Sequence, residues 1–216
     1  MICAYDKVYL DKARTVLGRM LDFAVYDLNY DITEFFDLFI SSGIASRFEK
    51  GDFTVIAGVS GVELAYKVLD ASGINRERIP PKYTVNRSEE YWTGWALAYY
   101  QWKTTLCFKE IIQYIPIKSI LNLYSPYHEM DIQQFCDKMN ELYRNAKPAT
   151  NLKLLRQKAG LSQSELADLS GISVRTIQQY EQRQKNINKA QVEYLMRLSK
   201  VLYCRPENLL EEDKSL

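Results

Sequence analysis

"GLSQSELADLSGISVRTIQQYE", residues 160–181, holds two helical patterns separated by a turn that one continuous helix cannot cross. Ser162 is followed three residues later by Glu165, the spacing at which a hydroxyl and a carboxylate cap each other's backbone amides. That spacing predicts a helix opening at Gln163. Leu166 and Ala167 then face inward, and Ala167 is small where the next helix must cross closely. Gly171 stands where the turn needs a residue that tolerates positive φ. Ser173 caps the second helix, whose inner side carries Ile177 with Tyr180 near it. Val174, Arg175, Gln178 and Gln179 are left on the outer side, with Thr176 in the same first turn.

The outer face is chemically suited to base edges. Arginine donates two parallel hydrogen bonds to guanine, glutamine pairs with adenine, and Val174 offers an apolar contact to a thymine methyl. Gln163 and Ser173 sit at helix starts, where side-chain donors and free amides meet phosphate. Arg183, Lys185 and Asn186 follow the second helix, in position to grip a backbone. The bland alternative is a helical hairpin whose polar face meets water. Charge separates the two readings: residues 151–205 carry 10 basic against 4 acidic side chains, whereas residues 1–147 carry 17 against 19. Only the back third suits a polyanion.

Residues 151–210 resemble a Cro/cI-type (XRE, lambda-repressor-like) helix-turn-helix domain. The resemblance rests on "LR" at 155–156, "GLSQ" at 160–163, "LA" at 166–167, "SGIS" at 170–173, "YE" at 180–181, Ala190, Leu195, Leu198 and the closing "RPENLL". It implies a five-helix domain with its third helix in the major groove of double-stranded DNA, usually as a homodimer on a palindrome. It also implies a pair between Arg156 and Glu181, a phosphate contact at Gln163, and base contacts at Val174, Arg175 and Gln179. Two departures stand out. Valine occupies position 174, where a polar reader is common, and "QRQKNIN" lacks the usual Gly and Pro of that loop.

The boundary of this segment falls in "NAKPAT", where Pro148 disfavours helix at Lys147. Ahead of it, residues 1–147 read mainly as helix. Lys7 to Leu28 shows apolar residues at helical spacing, and Asp31 with Glu34 has the form of a capping box. "FTVIAGVSG" fits a short strand or a loop. Ser60 caps a helix through Leu69, "GINRERIPPKYTVNRS" is a loop, Ser88 opens a long aromatic helix, and Asp131 to Arg144 is amphipathic. The expected class is mainly α: a helical protein-interaction or sensing domain over 1–147, then a five-helix DNA-binding domain over 148–216.

"EYWTGWALAYYQW", residues 90–102, holds all three tryptophans. Trp92, Trp95, Tyr99 and Trp102 share one helical face, which fits either core or an exposed surface for a protein partner or flat ligand. Together with "ASRFEKGD" and "GVSGVELAYKVL", this stretch resembles the N-terminal part of helix-turn-helix proteins of gut Firmicutes. Those are often encoded near ADP-ribosyltransferase-like proteins, which implies an antitoxin-like role or a cognate toxin as partner. No residue roles come with that likeness.

Other classes find little support. The chain has no Gly-rich phosphate loop, no GxSxG, no HExxH and one histidine, His128, so no catalytic residue is expected. Cys3, Cys107, Cys136 and Cys204 form no CxxC pair, so neither a metal site nor a cofactor is expected. No apolar window is long enough for a membrane span, and charges fill the N-terminus where a signal peptide needs an apolar run. The expected location is cytoplasmic.

Overall fold

The structure is a computed structural model that describes residues 3–82 and 86–211. Among these residues the chain is mainly α, 67% helical and without strands. It falls into two compact units that divide between Ala146 and Lys147.

The front unit contains α1 (Leu10–Tyr26), α2 (Ile32–Ser41), α3 (Ile44–Glu49), α4 (Phe53–Ile56) and α5 (Gly61–Ala71). There follow α6 (Glu89–Thr104), α7 (Phe108–Tyr114), α8 (Ile117–Leu121), α9 (Tyr124–Tyr127) and α10 (Ile132–Ala146). Helix α1 is the hub, because its apolar residues are not confined to one stripe. Ala13, Leu17, Met20, Leu21 and Ala24 are fully buried on one side, Val16 and Phe23 are buried further round the helix, and it packs against both α5 and α6.

Two glycines permit the closest crossing. A Cβ on Gly94 would stand 2.7 Å from the carbonyl oxygen of Leu17, and one on Gly18 would stand 2.7 Å from that of Tyr91. Gly18 meets Tyr91 while Arg14 lies over Trp95, so one index rises as the other falls: α1 and α6 run antiparallel. Gly61, at the start of α5, has the same function against α1. Its Cβ would lie 2.6 Å from the oxygen of Val16 and the amide of Met20.

Local chemistry sets the helix starts. Ser60 and Glu63 form a reciprocal capping box on α5, and Ser88 accepts the Tyr91 amide to open α6. At α2 the box is half made: Asp31 accepts the Thr33 amide at 2.9 Å, with no return bond from Glu34. The "FTVIAGVSG" stretch is neither strand nor loop at its start. Asp52 accepts the Thr54 amide at 2.9 Å and sets up the single helical turn of α4, with Val55 and Ile56 buried beneath. The loop after α5 is held at Lys82, whose amide donates to Asp27 at 2.7 Å, and at Ser88, whose hydroxyl donates to Asp22 at 2.6 Å. Its positions 83–85 lie outside the described residues.

The aromatic stripe does not form an exposed patch. Trp92 packs edge-on to Tyr124 and Phe135, Trp95 lies under the Arg14 guanidinium, and Tyr99 tilts against Trp102. Trp102 is buried and donates its indole N–H to the carbonyl of Tyr5 at 2.8 Å. Of the two readings of this stripe, core packing describes Trp102, while Trp92, Trp95 and Tyr99 are half-buried on a face of α6 packed by α1, α9 and α10.

The back unit contains α11 (Asn151–Lys158), α12 (Gln163–Ser170), α13 (Val174–Glu181) and α14 (Val192–Val201). Two 3₁₀ turns complete it, Ile187–Lys189 and Pro206–Leu209, and the second occupies the place of the fifth helix. Leu152, Leu166, Ile177, Leu198 and Leu209 form a core separate from that of the front unit.

Candidate nucleic-acid interface

The two helices of residues 160–181 are fixed at both ends. Ser162 accepts the Glu165 amide at 3.1 Å, while Glu165 accepts the Ser162 amide at 2.7 Å. The latter bond, together with the Ser162 hydroxyl, holds the Glu165 carboxyl below its ordinary value. Gly171 ends α12 at φ 68°, a left-handed conformation that glycine adopts without cost. Ser173 accepts the Thr176 amide at 3.2 Å and opens α13. The Thr176 hydroxyl lies 2.8 Å from that of Ser173, so Thr176 is drawn into the cap.

Beneath α13, Ile177 is fully buried and Tyr180 nearly so. The Arg156–Glu181 pair lies beside them. Arg156 Nε donates to one carboxylate oxygen of Glu181 at 2.6 Å and Nη2 to the other at 2.9 Å, a side-on fork. The third nitrogen, Nη1, donates to the carbonyl of Leu161 at 2.7 Å, tying the loop before α12 to the end of α13. The bond to Glu181 raises the Arg156 pKa despite its burial. The Glu181 side chain is only 2% exposed. A carboxylate so buried is tolerable because the fork and one further donor satisfy it.

That further donor is Gln163, a participant the sequence does not announce. Its amide nitrogen donates to Glu181 at 2.7 Å, and its oxygen accepts from Gln178 at 3.4 Å. The side chain expected to reach phosphate is thus built into a network linking α11, α12 and α13. The expectation for Gln178 changes with it, since this side chain turns toward Gln163 and lies half-buried. Val174 is likewise half-buried and packs on the core below, so it is only in part an outer residue.

Beyond α13 the expected phosphate contacts divide. Arg183 takes up a left-handed backbone at φ 54° and donates to the carbonyl of Pro148 at 2.8 Å and to Glu211 at 3.0 Å. It is a brace within its own unit, and a phosphate contact would have to compete with these two bonds. Asn186 caps the following 3₁₀ turn by accepting the Asn188 amide at 2.9 Å. Lys185 is exposed.

What remains is a short set. Among the described residues, the side chains of Arg175, Gln179 and Lys185 make no hydrogen bond or ion pair. Their neighbours are committed to the fold and they are not. No group of three or more His, Cys, Asp or Glu side chains among the described residues is placed to hold a metal. His128 stacks on Tyr124 at 4.0 Å between ring centroids, with its other ring nitrogen 3.5 Å from Glu129. Among the described residues no helix is long and apolar enough to cross a membrane.

Residues 152–208 match the family model described as helix-turn-helix. This segment is a Cro/cI-type helix-turn-helix, the module of an XRE-type DNA-binding regulator. Comparison with curated proteins and with solved structures finds no match.

Proposed function

We propose that the chain is a sequence-specific transcriptional regulator that inserts α13 into the major groove. The observation that carries this reading is the uncommitted trio Arg175, Gln179 and Lys185: the first two stand on α13, a helix held in place by its other polar groups, and Lys185 follows in the turn after it. A rigid helix that keeps a few donors unspent is what base reading requires. Arg175 is assigned to guanine, Gln179 to adenine and Lys185 to phosphate, with the exposed part of Val174 against a thymine methyl. The first amides of α12 and α13, at Gln163 and Val174, are assigned to phosphates.

In this reading the protein is a repressor, autoregulatory in the manner of an antitoxin, and acts as a cytoplasmic homodimer on a palindrome. The front unit dimerises it or docks a cognate toxin or other protein, and carries no catalytic role. Selection of bound duplexes by the full chain, followed by gel shifts, tests this. The expected result is an enriched palindrome with half-sites about one helical turn apart. A random pool left unenriched after repeated selection would overturn it.

A further inference from the structure

The back unit carries an open-sided groove of about 540 Å³ that the DNA-reading proposal does not use. Its walls are Leu161 ahead of α12, Leu169 in the last turn of α12, and Val201 and Tyr203 at the end of α14. Arg197 and Lys200 of α14 complete the rim. A volume of this size falls within the range of small-molecule sites. Leu169 is 63% exposed and Tyr203 95%, so the fold gains little from burying either. Tyr203 is also held in a left-handed backbone at φ 50°. The amides of Leu202 and Cys204 donate to the carbonyls of Leu198 and Ser199, closing the end of α14 around it. Glycine or asparagine usually fills such a position, because a Cβ is crowded there. A tyrosine at that point places an aromatic ring at the edge of the groove.

The polar part of the rim has one sign of charge. Arg197 and Lys200 are three positions apart on α14, which makes them neighbours on its surface. No carboxylate lines the groove among the described residues. Glu193 pairs with Arg197 from one turn back, whereas Lys200 makes no hydrogen bond or ion pair among the described residues. We infer that this groove binds a small amphipathic carboxylate. Its head lies at Lys200 and Arg197, and a flat apolar body packs between Leu161, Leu169, Val201 and the Tyr203 ring. The head is a monoanion because Lys200 is the uncommitted cation and Arg197 is already shared with Glu193. A protein is the poorer occupant: eight residues line the groove, and a stable interface uses about 20–30 on each side.

This site is independent of the DNA-reading proposal, and its test uses no DNA. The full chain is titrated with 1-naphthoate, with 1-naphthylmethylamine, which reverses the charge, and with acetate, which lacks the ring, at fixed ionic strength. Methyl signals of Leu161, Leu169 and Val201 are followed in a ¹³C–¹H spectrum, with the fully buried Leu17 of the front unit as control. Naphthoate is expected to move the three groove residues saturably and leave Leu17 in place, with the amine and acetate far weaker. Lys200→Gln should weaken naphthoate about fivefold, the scale of one exposed charge pair. Tyr203→Gly removes one wall and suits the backbone better than tyrosine, so it should keep the fold and lose affinity. Three results overturn the site: groove methyls unmoved or moving no more than Leu17, an amine or acetate response equal to that of naphthoate, or undiminished binding in both variants. The wild-type titration decides the matter whether or not the variants fold.

Discussion

Gln163 donates its side-chain amide to Glu181 across 2.7 Å, joining the first turn of α12 to the last turn of α13. The bond completes the coordination of a carboxylate that Arg156 already grips with two nitrogens. The angle between the two helices is therefore set by polar groups as well as by Leu166 and Ile177.

Breaking one side of this network should cost more than removing both. Glu181→Gln leaves the Arg156 charge buried and should lower the stability of residues 147–216 by about 3–5 kcal/mol in urea titrations followed by circular dichroism. The double replacement Arg156→Met, Glu181→Leu should recover most of that loss. Gln163→Ala should cost about 1–3 kcal/mol, since it removes one donor to a charged group. A loss in the double replacement equal to the sum of the two single losses would mean that the side chains contribute independently.

On DNA, the uncommitted and the committed side chains should behave differently. Arg175→Ala or Gln179→Ala should cost about 1–3 kcal/mol on the selected operator and little on random duplex. Lys185→Ala should weaken both alike and flatten the salt dependence by about one unit of slope. Arg183→Ala should instead lower the melting temperature and leave the salt slope of the folded protein unchanged, because its guanidinium holds Pro148 and Glu211. A reduced slope in Arg183→Ala gel shifts would return it to the interface.

How much of this was legible beforehand varies with the range of the interaction. The Ser162–Glu165 box joins residues three positions apart and was readable from spacing alone, as was the Ser60 cap. So were Gly171 and the Ser173 cap. The single turn of α4 was missed because four residues carry no periodicity, although Asp52 two places before Thr54 was the cue. Arg183 read as a phosphate contact because its partner, Glu211, lies 28 positions later in sequence. Gln163 kept its place at the start of α12, but nothing in the sequence pairs it with Glu181. The aromatic stripe could not be placed without knowing that α1, α9 and α10 cover it.

Glycines at helix crossings should tolerate nothing larger. Gly94→Ala and Gly61→Ala would drive a methyl group to within 2.7 and 2.6 Å of α1 backbone atoms that cannot move aside. Each should destabilise the front unit by about 1–3 kcal/mol or more by overpacking, read as a lower urea midpoint in tryptophan emission. Gly73→Ala is the control. It has open space around it and a φ of +72°, so only backbone strain of about 1–2 kcal/mol is expected. A similar midpoint for all three would remove the steric argument.

Acid should act on the caps in a defined window. Asp52 is held down to about 2 by its bonds to the Thr54 hydroxyl, to Arg47 and to the Thr54 amide. Glu63 and Glu165 lie below the usual 4.5, chiefly through the amides of Ser60 and Ser162. A carboxylate with a depressed folded-state pKa stabilises above its unfolded value, and that stability fades as pH falls through the folded one. The contribution should therefore be whole at pH 5, decline below the ordinary carboxylate range, and be gone beneath about 2 for Asp52. Carboxyl ¹³C titration would show this directly, and an Asp52 midpoint near 3.8 would contradict it.

The Arg183 brace has a geometric corollary. One guanidinium spans Pro148 and Glu211, and the Asn151 amide donates to the same Glu211 carboxylate at 2.8 Å. The entry and exit of the back unit thus lie side by side, closed by a clasp of four residues. A module whose ends meet can be grafted into a surface loop of another protein, or have its ends joined and be reopened elsewhere, without stretching its backbone. The turn after α13 is then the wrong place to cut, because Arg183 is part of the clasp, whereas the exposed Gly160 bend between α11 and α12 leaves it intact.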